Sequence, residues 1–361
     1  MPIHFDSARW DKVRATYRQW WAGTLDRPVF IAASKDRDPG RPMPDAPLLS
    51  MANCTDLSIP AEQLIDRIDW ELSHYTWQAD AFPFVNMWTF GAGVVAAFLG
   101  ARMESKSGTV WFHPPRRQPI ADIHFRFDPD NVWFRRICDI YKAGMDRWQG
   151  QVLMGMTDLG GVLDILSVFR PGEELLTDLY DEPQEVHRLI GEAYEVWHQY
   201  FDAINEFIKP VTPGYAAWAN IYSEEPGYML QSDFSYMIGP EMFDEFVRPE
   251  LAWSSARIPY AFYHMDGKGQ IPHLDSLLSI ADLKGIQWVA GSGAPGIEHW
   301  AEIYQRCVAT GKKIQTGGPM EALDTVVGQI GVENAGAIHH GAWISDDQEL
   351  KKVAKYGAEI F

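Results

Sequence analysis

Short apolar runs alternate with polar turns and longer amphipathic segments along most of this 361-residue chain. The runs at 81–88, 151–158, 214–222, 260–267, 286–293, 312–318 and 336–343 are short and bounded by turn residues, which predicts strands. Among the segments between them, 128–150, 182–208 and 239–258 carry apolar residues at helical spacing. Ahead of this beat, Trp10, Val13, Tyr17, Trp20 and Trp21 fall near one stripe of a helix over 7–24. A strand over 27–34, a proline-rich loop over 38–60 and a helix over 60–79, opened by Pro60, complete the front section. The stretch "SGTVWFHPP" (107–115) reads as a small excursion.

Strands separated by helices run parallel, because a tight turn can only bring the chain back antiparallel. The beat contains seven strand-plus-helix units, or eight if 27–34 joins the same sheet. Eight such units close into a TIM-type (β/α)8 barrel, the expected α/β architecture, with an open doubly wound sheet as the alternative. Residues 1–79 then form an N-terminal helical extension packed on a barrel of residues 80–361.

Composition removes several function classes. A net charge of −18 opposes nucleic acid or an anionic membrane surface as partner. No run approaches 18 uninterrupted apolar residues, and "MPIHFDSARWDKVRATYRQWW" lacks an apolar signal core, so neither a membrane span nor a secretory leader is expected. Cys54, Cys138 and Cys307 are too few and too scattered for a disulfide framework or a Cys-x-x-Cys metal knuckle. The expectation is a cytoplasmic enzyme, in which the sequon at Asn53 carries no meaning.

In a parallel barrel the chemistry gathers at the C-terminal ends of the strands. Those ends carry Asp158; Asn220 and Tyr222, with Glu225 beyond; His264 and Asp266; and His339 with His340. A single histidine at a strand end is ordinarily hydrogen-bonded structure, but His-x-Asp beside a second histidine-bearing end suggests a site. Residues i and i+2 of a strand share a face, so His264 and Asp266 can chelate a divalent metal. They can equally form a pair in which the carboxylate orients a general base. Alternation lets only one of His339 and His340 face the axis. His340 is favoured as the third ligand, which leaves His339 to structure or to the edge of the substrate site. Tyr222 and Glu225 are further catalytic candidates. Asp158, Asn220 and Asp233 are candidates for orienting substrate, although Asp233 could instead cap the helix that starts near Pro240. Gly91-Ala-Gly93 lacks the third glycine of a dinucleotide loop and is better explained by tight helix packing. No GxSxG, P-loop or HExxH motif occurs.

Several longer strings resemble one family. "MLQSDFSYMIGPEMFDEFVRPEL" (229–251), "DLGGVLDILSVF" (158–169) followed by "LYDEPQEVHRLI" (179–190), and "HHGAWISDDQELKKVAKY" (339–356) are similar to ordered segments of the uroporphyrinogen decarboxylase superfamily. The resemblance spans roughly residues 80 to 361 and implies the same TIM-type barrel. It implies either decarboxylation of a porphyrin precursor or corrinoid-dependent methyl transfer. The decarboxylases use an arginine-rich front segment and an aspartate after the first barrel strand. Here "TLDRPVFIAAS" has one arginine, and Asn86 or Met87 stands where that aspartate would be, so the decarboxylase reading is rejected. The methyltransferases hold zinc through His-x-Cys and a later Cys, positions that read here as His264-x-Asp266 and His339-His340-Gly341. Exchanging sulfur for nitrogen and oxygen suits a harder ion than a thiolate-rich site does. The resemblance therefore implies demethylation of a small ether or amine donor onto the corrinoid of a partner protein. His264, Asp266 and His340 would hold zinc or another divalent metal, and a homodimer is suggested. The alternative is a metal-assisted hydrolase or lyase without corrinoid.

Overall fold

The computed structural model describes residues 3–342 and 344–361. Its first helix, Ser7–Trp21, begins where the Asp6 carboxylate accepts the backbone N–H of Arg9. This helix buries Trp10, Val13, Tyr17 and Trp20, four of the five stripe residues. Strand β1 (Val29–Lys35) follows, then the proline-rich loop and a helix, Ala61–Leu72, that stops well short of residue 79. Residues Tyr75–Ala79 form a strand instead, β2, antiparallel to β1. Their aromatic and β-branched side chains suit a pleated surface, and β1 has an open edge for them to pair with.

Beyond residue 80 come β3 (Phe84–Val85), a hairpin of β4 (Arg102–Lys106) and β5 (Thr109–His113), and β6 (Leu153–Met154). The hairpin is the excursion noted at 107–115. Five more strands follow: β7 (Gly227–Gln231), β8 (Tyr260–Asp266), β9 (Gly285–Val289), β10 (Lys313–Gly318) and β11 (Ile338–Ala342). The run expected at 336–343 thus ends at Ala342, and Trp343 lies outside the described residues. Helices Val132–Trp148, Pro183–Ile208, Pro240–Phe246 and Arg248–Arg257 stand where helical spacing placed them.

The fold is α/β. Seven strands make one sheet in the order β2-β1-β11-β10-β9-β8-β7, with every pairing parallel except β2 with β1. β1 pairs directly with β11, so the part of the chain before residue 80 contributes strands to the main sheet. β3 pairs in parallel with β6, and the Met156 N–H donates to the Ala216 carbonyl at 2.8 Å. Gly93 and Gly160 pack backbone to backbone: a Cβ on Gly160 would lie 2.3 Å from the Gly93 Cα. That contact accounts for Gly93 by packing.

The segment 214–222 departs from expectation. It is not a strand, and only Tyr215 bridges to Ser223. The sheet strand is Gly227–Gln231, so Tyr222 and Glu225 precede it and lie at the N-terminal end of the sheet. The Ser7–Trp21 helix covers that end. Its Tyr17 hydroxyl is 2.8 Å from His339 Nε2, Trp20 packs on Phe262, Trp21 packs on Tyr260, and the Trp21 indole N–H donates to the Tyr222 carbonyl.

Candidate functional site

Strand register decides which side chains share a face. His264 of β8 is aligned with Gln287 of β9, Gln287 with Gln315 of β10, and Gln315 with His339 of β11. These four form one row. Two residues further along each strand come Asp266, Val289, Gly317 and Gly341 on the same face.

A hydrogen-bond chain runs along the row. The Gln315 amide Nε2 donates to the Ala219 carbonyl at 2.5 Å, Gln287 Nε2 donates to Gln315 Oε1 at 2.8 Å, and Gln287 Oε1 meets His264 Nδ1. The carbonyl at the end can only accept, so each amide must point its nitrogen toward it and its oxygen back toward His264. In the neutral ring His264 Nδ1 therefore carries the proton, and Nε2 keeps its lone pair. Asp266 does not orient this ring, since its Oδ2 is 3.9 Å from Nε2, beyond hydrogen-bond reach. Gln287 does, which replaces the expected His–Asp pair.

Ligand-capable atoms of Asp233, His264 and Asp266 lie within 4.8 Å of one another. Two bonds of about 2.0–2.2 Å to a shared ion span separations close to the 3.9 Å between His264 and Asp266. One imidazole nitrogen with a free lone pair and two carboxylates is a donor set that fits a divalent metal. Asp233 comes from the short 3-10 turn Asp233–Met237 after β7. Its carboxylate reaches solvent, yet desolvation raises its pKa; a protonated His264 would oppose that shift, and the Asp266 charge adds to it.

Sequence reasoning missed the residues that hold this turn. Asp164, half-buried at the start of helix Val162–Phe169, accepts the backbone N–H groups of Asp233 and Phe234 at 3.0 and 2.8 Å. Burial, then the Asp233 charge, raises Asp164 to about 7. A Cβ on Gly161 would sit 2.1 Å from the Gln231 carbonyl oxygen, so only glycine lets this helix start against the end of β7. The Gly160-Gly161 pair before a helix was the available signal. Gln287 and Gln315 gave none, because an isolated glutamine in a strand reads as surface.

The other candidates separate. His340 is fully buried on the opposite face of β11, with Nδ1 on the Thr316 hydroxyl at 2.9 Å and Nε2 on the Gly318 carbonyl at 3.0 Å. Both ring nitrogens are taken, so the structure corrects the expectation that His340 faces His264; His339 has the inward parity. Burial lowers His340 to about 4 and His339 to about 3. Tyr222 is buried among Trp10, Tyr17 and Phe82 and donates to the Pro213 carbonyl, at the sheet end away from Asp266. Glu225 precedes β7 at that same end, so neither residue joins the His264 cluster. Asp158 is buried, accepts the Gly160 N–H at 3.0 Å, and is raised to about 7 by burial, with Asp233 and Asp164 adding to the shift. Asn220 lines a well beside Gln315 and His339. His273 is structural, stacked on Phe243 with Nε2 on the Ser235 carbonyl.

A solved methyltransferase from Methanosarcina mazei is similar in structure, with a TM-score of 0.56 and 11% sequence identity, over 88% of this chain and 95% of that one. That likeness is one of fold. No protein-family model matches the chain, and no curated protein matches it in sequence. Among the described residues, no helix is long and apolar enough to cross a membrane.

Proposed function

We propose that the protein is a methyltransferase that demethylates a small ether or amine donor onto the corrinoid of a partner protein. A divalent metal, zinc or a harder ion, would be held by Asp233, His264 and Asp266. The free Nε2 lone pair of His264, turned toward two carboxylates, carries this reading. The fold shared with a methyltransferase supports it. Backbone bonds from Asp80 to Phe30, Leu153 to Pro83 and Met156 to Ala216 support closure of the sheet through β3 and β6 into a TIM-type barrel with the site at its mouth.

A bound divalent ion supplies Lewis acidity toward the donor's oxygen or nitrogen. A reduced corrinoid brought by the partner would supply the electron pair that accepts the methyl group, and the pair of the carbon–heteroatom bond would stay with the heteroatom. The heteroatom then needs a proton. Asp158, a buried carboxyl raised to about 7 by burial and by the nearby Asp233 charge, would be the donor. Asp164 holds the turn that presents Asp233, and Gln287 keeps the His264 lone pair outward.

Elemental analysis of untagged protein tests the metal: about one divalent ion per chain is expected, lost in His264→Ala and Asp266→Ala. Methyl transfer from candidate ethers and amines to cobalt(I) cobalamin tests the reaction. A wild type that stays metal-free after zinc is offered sinks the metal site. A second reading, a metal-assisted hydrolase or lyase, is favoured by the absence of a thiolate from the cluster. Turnover of a small molecule without reduced cobalamin would bring it forward.

A further inference from the structure

The segment 215–223, expected as part of a strand, is a closed loop. Tyr215 and Ser223 exchange both backbone hydrogen bonds at 2.9 Å. The tip is a tight turn in which the Asn220 N–H donates to the Ala217 carbonyl at 2.9 Å. Side chains from three strands or strand ends meet that tip. Asn86, just after β3, donates Nδ2 to the Trp218 carbonyl at 2.8 Å, and its Oδ1 accepts the Trp88 N–H at 3.0 Å, which fixes the direction of the amide. Gln315 of β10 donates to the Ala219 carbonyl. The Trp218 ring meets the His264 ring of β8 edge to face, with centroids 5.1 Å apart and planes at 84°.

The peptide between Ala219 and Asn220 is held from both sides. A trans peptide points its N–H and its carbonyl in opposite directions, so bonding the N–H to Ala217 aims the carbonyl away from the turn, at Gln315. Asn220 stands at φ 57° to allow this. Glycine enters the left-handed region freely and asparagine more readily than most, whereas other L residues resist it. A residue that resists returns φ to negative values most simply by turning that peptide over, which takes the carbonyl away from Gln315. The amide chain then loses the acceptor that gives it a direction. Gln315 and Gln287 are free to rotate, and His264 Nδ1 can face an amide NH2 instead of an oxygen. The ring proton then moves to Nε2, and the lone pair beside the carboxylates is lost.

We propose that the loop 215–223 is a positioning element for His264. The left-handed backbone of Asn220 holds the Ala219 carbonyl in place, and that carbonyl sets the proton position on His264 through Gln315 and Gln287. Asn220 is a positioning residue that acts through its backbone conformation and needs no contact with substrate. The consequence for metal affinity rests on the metal site proposed above; the consequence for the tautomer does not.

Two substitutions that both delete the side chain isolate the backbone. Asn220→Gly keeps the left-handed conformation, and Asn220→Ala penalises it. Two-bond proton–nitrogen NMR of metal-free, nitrogen-15 histidine-labelled protein at about pH 9, where the unperturbed ring is neutral, reads the tautomer, with the His264 signals assigned by their loss in His264→Gln. Wild type and Asn220→Gly are expected to carry the proton on Nδ1. Asn220→Ala should show a mixture or the Nε2 form and, in competition with a chelator, bind zinc about tenfold more weakly. Gln315→Leu, which leaves the loop intact and cuts the relay beyond it, should reproduce the tautomer change. A wild-type ring protonated on Nε2, an Asn220→Ala ring indistinguishable from wild type, or an Asn220→Gly change as large as that of Asn220→Ala would overturn the proposal. A wild type that shows the expected tautomers but takes up no zinc would overturn the metal reading alone.

Discussion

His264 and His339 stand at the two ends of one row of side chains, yet they live in different surroundings. His264 is four residues into β8, half-buried, with Nε2 free beside two carboxylates. His339 is one residue into β11, under Tyr17 and Trp20 of the first helix, with its Nε2 already bonded to the Tyr17 hydroxyl. The stagger of the strands tilts the row, so it starts near the open end of the sheet and finishes under the aromatic cover. One residue type thus serves as a candidate ligand at one end and as neutral packing at the other. The contrast lies in solvent access and in which ring nitrogen is left unpaired.

The largest expected effect breaks the closed end. Trp20 is fully buried, and Trp20→Ala should cost about 3–5 kcal/mol in urea unfolding while metal content per folded chain stays at the wild-type value. At the open end the pattern should invert. His264→Ala should lower metal affinity by more than about 100-fold, seen by competition with a chelator, at about 1 kcal/mol in the stability of the metal-free protein. Gln287→Leu sharpens the comparison, since it leaves the ligands and removes what orients one of them. Metal affinity should fall roughly 10–100-fold, and Gln287→Glu, which still accepts the Nδ1 hydrogen, should restore most of it.

A pH slope tests the closed end a second way. His339 is lowered to about 3 in the folded protein against about 6.5 unfolded. Below pH 6.5 the unfolded chain takes up a proton that the folded one refuses. The His339 contribution is therefore intact above that pH and is lost by about 1.4 kcal/mol per unit as the pH falls toward 3. Asp158, Asp164 and Glu250, each raised to about 7 chiefly by burial, act in the opposite sense and lose stability as pH rises from about 4 to 7. Unfolding of His339→Gln beside wild type at pH 4.5 and 7 isolates the first slope, which should be shallower by that amount in the variant.

Much of the fold was legible. Strand period and helix spacing located β1, β8, β9, β10 and β11, and the histidine and carboxylate of "HMD" in β8 were visible as neighbours on one face. Residues 214–222 misled because an apolar run meant for burial against aromatic side chains looks like a strand when nothing shows whether it has a partner to pair with. Tyr222 and Glu225 were carried to the wrong end by that one error. Asp233 was underrated because its neighbours in space, His264 and Asp266, are some thirty residues away in the chain.

Local periodicity alone determined that this chain alternates strands and helices, and that one of His339 and His340 faces each way. Those are properties of a few consecutive residues and of the tetrahedral backbone. Which of the two faces His264 depends on register across four strands, and a shift of one residue would have reversed it. The orientation of His264 depends on Gln287, Gln315 and the Ala219 carbonyl, three groups brought together by pairing and a loop rather than by spacing. Tertiary structure decided the site because hydrogen-bond direction and metal-ligand geometry act over a few ångströms of space, and distance along the chain does not report them.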